Sequence, residues 1–353
     1  MINFKAMKLG KQKPKYDRRT LQFHKYLTML PFAPQVSHWP NAAPLGMLLN
    51  DTVGDCTIAA ALHQEMIWSK SNGLTYSPVD NDALVAYEAV TASENNGQGY
   101  DPTTGANDNG CSCVDVLSYW KNTGIGGRKI GAFVQVDTSN HVDVQHAAFF
   151  FGGLYIGIQM PISAQNQPNI WDVPPIGLTG NGTPGSWGGH CIYIAGYDQN
   201  GLDVVTWGER IRMTWKFWNA YVDECYAALS TDFVNNPAKA PNGFNMVALQ
   251  QDLELISGTS ALVASKLSIV PNRLQTIFTN NLKNNVMPTS PVDAKIYHAA
   301  EKLKIKSIAK ADHKALIALA TSLIYAKAEK LGIKNLSKAN LHQKLSLFRS
   351  LVG

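Results

Sequence analysis

At 353 residues the chain is longer than one average domain and short for three, and 45% apolar with 16% charged residues supplies enough material for a full core, which excludes wholesale disorder. Five cysteines are too few for a disulfide scaffold, and the odd number leaves at least one thiol free. The net charge of +5 hides an asymmetry: residues 260–353 carry 15 Lys/Arg against 4 Asp/Glu, so the basic character belongs to the tail and the first 259 residues are net acidic.

The chain opens on MINFKAMKLGKQKPK, basic and polar, without the continuous apolar run of a secretory signal. Leu30-Pro31-Phe32-Ala33-Pro34 and His38-Trp39-Pro40 have no helical period, and residues 1–40 are expected to form an extended arm laid over a domain spanning 41–258. From Thr57 the texture changes. Ile58, Leu62 and Met66 recur every fourth residue with Ala59 and Ala60 between them, which predicts a helix with a buried face through Trp68. The polar stretch Ala92 to Gly110 reads as a surface loop, and Val114 to Asn122 as a second helix ending at Gly124. Past Gly126 the pattern is β-like: an apolar run at Tyr155 to Ile158, a Gly/Pro-rich loop from Trp171 to Gly189, then the runs Cys191 to Ala195 and Leu202 to Trp207. The Asp198-Gln199-Asn200-Gly201 turn joins those last two into a hairpin. Helices first and antiparallel strands second predict an α+β fold with a cleft where the two halves meet.

No run reaches the roughly 18 apolar residues of a membrane helix; the longest, Ala147 to Met160, is broken by Gly152, Gly153 and Gly157. A soluble protein, cytoplasmic or virion-associated, is expected. Asn219 to Ser257 reads as a connecting region with breakers at Asn235-Asn236-Pro237 and Pro241-Asn242-Gly243. Residues 292–305, 313–331 and 338–352 show helical spacing, so 259–353 is expected to form a basic helical module. Such a module suits an anionic partner or a protein assembly, or is a small bundle with a solvated lysine face. Its sparse aromatics give no support for stacking on single-stranded nucleic acid.

A thiol attacks a carbonyl as thiolate, and a helix N-terminus favours that charge. Gly54-Asp55-Cys56-Thr57 places Cys56 at the start of the first helix. About 130 residues later, Trp187-Gly188-Gly189-His190 ends the Gly-rich loop and opens a strand. A base at a strand start opposite a nucleophile at a helix start is what a cysteine hydrolase needs. Cys111 and Cys113 have no second Cys/His pair at zinc-ligand spacing, so no metal and no cofactor is expected.

These segments resemble the papain family, especially its divergent bacterial and phage members. Asn50 to Ala60 (NDTVGDCTIAA) is similar to the block around that family's nucleophile, and Asn109-Gly110 with Val114 to Ile125 to its second helix. Gly153 to Ile158 resembles the strand that enters its barrel half, and Gly189 to Asp198 (GHCIYIAGYD) the block around its histidine. Val205-Thr206-Trp207-Gly208 stands where that family has Asn-Ser-Trp-Gly. The resemblance implies a two-lobed papain-like fold and a peptidase acting on a peptide or protein substrate, with Cys56 as nucleophile and His190 as general base. It makes Asn50 the side-chain donor to the oxyanion, on a stem one methylene shorter than the family's Gln, and Trp207 the shield of the histidine. Val205 occupies the place of the Asn that orients the imidazole and cannot hydrogen-bond. Asp203, on the same strand face by alternation, is the candidate substitute, whereas Thr206 is expected to face away. The departures at Asn50 and Val205 also fit a catalytically silent papain-fold protein of a phage particle or prophage assembly.

Overall fold

In the computed structural model, Cys56–Ser71 form helix α1. Described are residues 3–17, 20–28, 33–39, 45–236, 241 and 243–257; the basic helical module expected over 259–353 lies outside them. The chain divides into two units, Met1–Leu253 and Glu254–Gly353, and nearly all described residues belong to the first. Helix α1 is more deeply buried than its four-residue apolar spacing implies: every residue from Cys56 to Glu65 is buried, as are Ile67 and Ser69. Its small side chains Ala59, Ala60 and Ala61 let neighbouring elements approach on several faces.

Helices α2 (Asp80–Glu94) and α3 (Cys113–Asn122) pack with α1 around Ile58, Leu62, Tyr87, Val116, Leu117 and Trp120, forming the helical half. Each of these large side chains, fully withdrawn from water, contributes roughly 1.5–3 kcal/mol. The polar stretch after α2 is anchored at its end by Asp108, whose Oδ1 accepts from Gly54 N at 2.9 Å and Tyr87 OH at 2.7 Å. The turn before α1 is thereby tied to the loop before α3.

The second half is one eight-stranded sheet: β1 (Val36–Ser37), β2 (Ile130–Gln135), β3 (Leu154–Met160), β4 (Ile170–Trp171), β5 (Gly188–Asp198), β6 (Gly201–Thr206), β7 (Glu209–Thr214) and β8 (Val222–Ser230). The strand order is β2-β8-β3-β5-β6-β7-β4, with β1 also paired to β5; the pairs are antiparallel except β4 with β7. The β5–β6 hairpin turns at Asp198–Gly201, where Asp198 Oδ1 accepts from Asn200 N and Gly201 N. Helices and strands are not segregated along the chain. Helices α4 (His141–Phe150) and α5 (Trp215–Tyr221) lie between strands in sequence, and the connecting region holds β8, α6 (Thr231–Asn235) and α7 (Met246–Ser257). Both α4 and α5 are apolar and aromatic, a composition that a strand shares, and so carry a weak periodic signal.

The N-terminal residues belong to the core. Phe4 is buried between Trp171 and Trp207, with ring centroids 6.3 and 5.3 Å away. Phe23 stacks on Phe244 at 5.6 Å, Tyr26 OH donates to Asp252 Oδ2 at 2.8 Å, and Val36 pairs with Tyr197 on β5. Among the described residues no helix is long and apolar enough to cross a membrane.

Candidate active site

Cys56 is the first residue of α1, with Asp55 at the N-cap. The four-residue turn ahead of it is costly: Leu48 and Leu49 both take left-handed backbone angles, φ 54° and 69°, which side chains with a Cβ rarely adopt. That turn buries Asn50, whose Nδ2 donates to Val53 O at 3.4 Å. Asn50 thus sits in the turn leading to the thiol, with its amide engaged locally.

Two contacts fix the start of α1 against the sheet. Tyr155 OH on β3 donates to Thr57 O at 2.9 Å, and Cys191 N on β5 points at Cys56 Sγ at 3.4 Å. The sulfur therefore meets β5 at the residue after His190. His190 is fully buried, its ring stacked on Trp207 at a centroid distance of 4.4 Å and 16° between planes. Trp187 also stacks on Trp207, with ring centroids 5.8 Å apart and 29° between planes. His190 Nε2 lies 2.7 Å from Thr206 Oγ1, while Nδ1 has no hydrogen-bond partner among the described residues.

The contact with Thr206 corrects the expectations for β6. Tyr193 pairs with Val205, so Thr206 shares the sheet face of Ile192 and His190. Val205 points to the opposite face, into an apolar cluster with Leu45, Ile67, Tyr193 and Ala195. Asp203 does not hold the imidazole either. Its carboxylate is committed to Arg210 Nη2 at 2.9 Å and Arg212 Nη1 at 3.0 Å on the neighbouring strand. Thr206 is the hydrogen-bond partner of His190 that alternation along one strand missed; the pairing register across two strands reveals it.

The cleft between the halves is filled by residues 8–12 of the chain itself. Cys111 N donates to Gly10 O at 2.8 Å, Gln12 N to Cys111 O at 3.0 Å, and Lys11 N to Gly189 O at 3.0 Å, so the segment bridges the helical wall and the sheet wall. The fit depends on glycines. A β-carbon on Gly10 would collide with the Gly54 carbonyl, one on Gly110 with the Gly10 carbonyl, and one on Gly189 with the Lys11 carbonyl.

Closure governs the electrostatics of the pair. Burial pushes the Cys56 thiol well above its ordinary value, and the N–H groups of Cys191 and Gly10, which favour the thiolate, do not offset it. Burial also pushes the His190 imidazole down to about 3. Both groups are neutral near pH 7 in this state. Burial likewise raises the Asp55 carboxyl well above the usual carboxylate range. All five cysteines are free and buried, and no cluster of three or more His, Cys, Asp and Glu side chains able to hold a metal occurs among the described residues.

A helix opening on Cys56, laid against a sheet whose strand β5 carries His190, is the papain-like fold. Among solved structures it matches xylellain, a cysteine protease from Xylella fastidiosa, with a TM-score of 0.50 and 13% identity over 64% of this chain and 97% of that one. The Carica candamarcensis cysteine protease CMS1MS2, solved in complex with E-64, aligns over 56% of this chain and 99% of its own with a TM-score of 0.38 and 12% identity. No family model and no curated protein matches the sequence.

Proposed function

We propose that the chain is a cysteine hydrolase, acting on peptide bonds, that is held closed by its own N-terminal segment. The observation that carries this reading is the seating of Cys56 Sγ on the backbone of Cys191, next to a His190 whose Nδ1 is left without a partner while its Nε2 is held by Thr206. In that reading Nδ1 takes the thiol proton and the thiolate attacks the amide carbonyl. The Cys56 backbone N–H and the Asn50 amide donate to the resulting oxyanion. The imidazolium then returns its proton to the leaving amine, and water, deprotonated by His190, hydrolyses the thioester. Asn50 must release Val53 O to reach an oxyanion.

The test is labelling by a thiol-directed epoxide, read by intact mass. In the unaltered full chain Cys56 is buried, with the Gly10 N–H on its sulfur, and is expected to resist. Gly10→Ala, which cannot keep its contact with the Gly54 carbonyl, lifts the segment while Phe4 and Phe23 stay anchored. Cys56 of that variant is expected to be labelled, and His190→Ala to slow the labelling about a hundredfold. A folded Gly10→Ala chain whose Cys56 reacts only after unfolding would show a papain-like scaffold without the chemistry.

A further inference from the structure

Lys11 is the second feature of the cleft-filling segment. Its side chain is fully buried, with 0% exposure, and its ammonium forms ion pairs with Asp223 Oδ2 at 2.9 Å and Glu224 Oε1 at 3.0 Å. Both carboxylates are fixed at the start of β8. Gln159 Nε2 donates to Asp223 Oδ2 at 2.6 Å, and Tyr226 OH to Glu224 Oε2 at 2.9 Å. The lysine stem passes Gly157 on β3, where a β-carbon would collide with Lys11 Cε and lie 2.6 Å from Glu224 Cγ. Any other residue at 157 would close the passage.

We propose that Asp223, Glu224 and Gly157 form a substrate pocket selective for a lysine or arginine side chain, and that Lys11 occupies it in the closed chain. The proposal rests on the hydrolase reading only in calling the occupant a substrate. Three observations carry it. The pocket opens on the cleft that holds Cys56, because Lys11 is the residue whose N–H binds Gly189, next to His190. With Lys11 in place the Glu224 side chain is 1% exposed, so a neutral side chain that fills the same pocket leaves a buried charge unpaired. Asp223 Oδ1 has no hydrogen-bond partner among the described residues. It is a free acceptor for the second arm of a guanidinium, so the pocket accepts arginine as well as lysine.

The probe is a synthetic peptide with the sequence of residues 4–15, FKAMKLGKQKPK, labelled with a fluorophore. It is titrated into the full-length chain carrying Gly10→Ala, to lift the resident segment, and Cys56→Ala, to prevent turnover. The peptide is expected to bind, to keep its affinity when the residue matching Lys11 is changed to arginine, and to weaken about a hundredfold when it is changed to norleucine. Asp223→Asn and Glu224→Gln together, which remove both carboxylates, should remove most of that discrimination. Equal binding of the lysine and norleucine peptides, no binding of the lysine peptide, or discrimination that survives the double variant each overturns the proposal. If Gly10→Ala does not fold, hydrogen exchange of the Lys11 N–H is measured in the Gly10 chain instead. Lys11→Arg should keep its protection and Lys11→Met should lose about a hundredfold; equal protection in the two overturns the pocket. Because the binding protein lacks the thiol, failure of the hydrolase reading leaves this measurement unaffected.

Discussion

Replacing Thr206 by valine removes one hydroxyl at nearly constant volume, so no cavity forms and the whole effect lies in the bond to His190 Nε2. The ring is 0% exposed and its Nδ1 already lacks a partner, so the variant leaves both imidazole nitrogens unpaired away from water. Such a loss costs about 1–3 kcal/mol of stability. For a domain of this size 2 kcal/mol lowers the melting midpoint by roughly 4–8 °C. The ring also loses the contact that sets its tautomer, so Nδ1 is no longer held ready for the thiol proton. A positioned base contributes about 10²–10⁴ in rate, of which a free-turning ring is expected to forfeit about tenfold to a hundredfold. The assay is epoxide labelling of Cys56 in the Gly10→Ala background, followed against pH, beside chemical denaturation of each variant. Thr206→Ser restores the hydroxyl without the methyl and should recover most of the rate. If Thr206→Val labels at the parent rate with the parent pH profile, or if serine performs no better than valine, Thr206 is not a positioning residue.

Asparagine at 205 restores the residue type suggested by the resemblance but places the amide among Leu45, Ile67, Tyr193 and Ala195. Val205→Asn is expected to cost about 1–3 kcal/mol in denaturant unfolding and to leave the labelling rate no faster. The pH dependence of thiol alkylation should separate the closed and open states. With the thiol pushed up and the imidazole pushed down by burial, the closed chain holds no thiolate near neutrality, and its slow alkylation should rise continuously with pH. In Gly10→Ala, water entry lowers the desolvation cost of both charges, the thiol falls and the imidazole rises, and the rate should show a plateau extending below pH 7. A chain ending at Gly258 keeps Leu249 in the core and the Tyr26–Asp252 bond, and is expected to unfold cooperatively; aggregation would show that the basic tail completes the fold.

The α1 helix, α3 and the β5–β6 hairpin were legible because each has a strong local code: apolar residues every fourth position, a glycine stop, an Asp-Gln-Asn-Gly turn. Local code fails where apolar residues are continuous. His141–Phe150 is buried on several faces and runs into Leu154–Met160 without a polar break, so neither period dominates and the helix–strand boundary depends on Gly152 and Gly153. The orientation of Thr206 was illegible for another reason. Alternation within β6 says which residues share a face but not which face meets His190. That follows only from pairing Val205 with Tyr193, a long-range fact.

The closed cleft is a further kind of information, written in residues that carry no chemistry. Gly10, Gly54, Gly110 and Gly189 make it possible for three backbones to touch, and no periodicity marks them, since a glycine reads as a turn wherever it falls. Lys11 is equally silent in sequence, one basic residue among several in a polar opening. It becomes informative only when its burial shows that the two acidic residues at the start of β8 face the cleft. Removing a single side chain from either partner should therefore have unequal effects. Lys11→Met leaves a buried carboxylate pair repelling itself under a neutral stem, while Glu224→Gln leaves the ammonium still paired to Asp223. The lysine variant should free the segment and expose Cys56 to the epoxide, and the glutamine variant should do so much less. Equal exposure in the two would mean that backbone bonds to Cys111 and Gly189, not charge, hold the cleft closed.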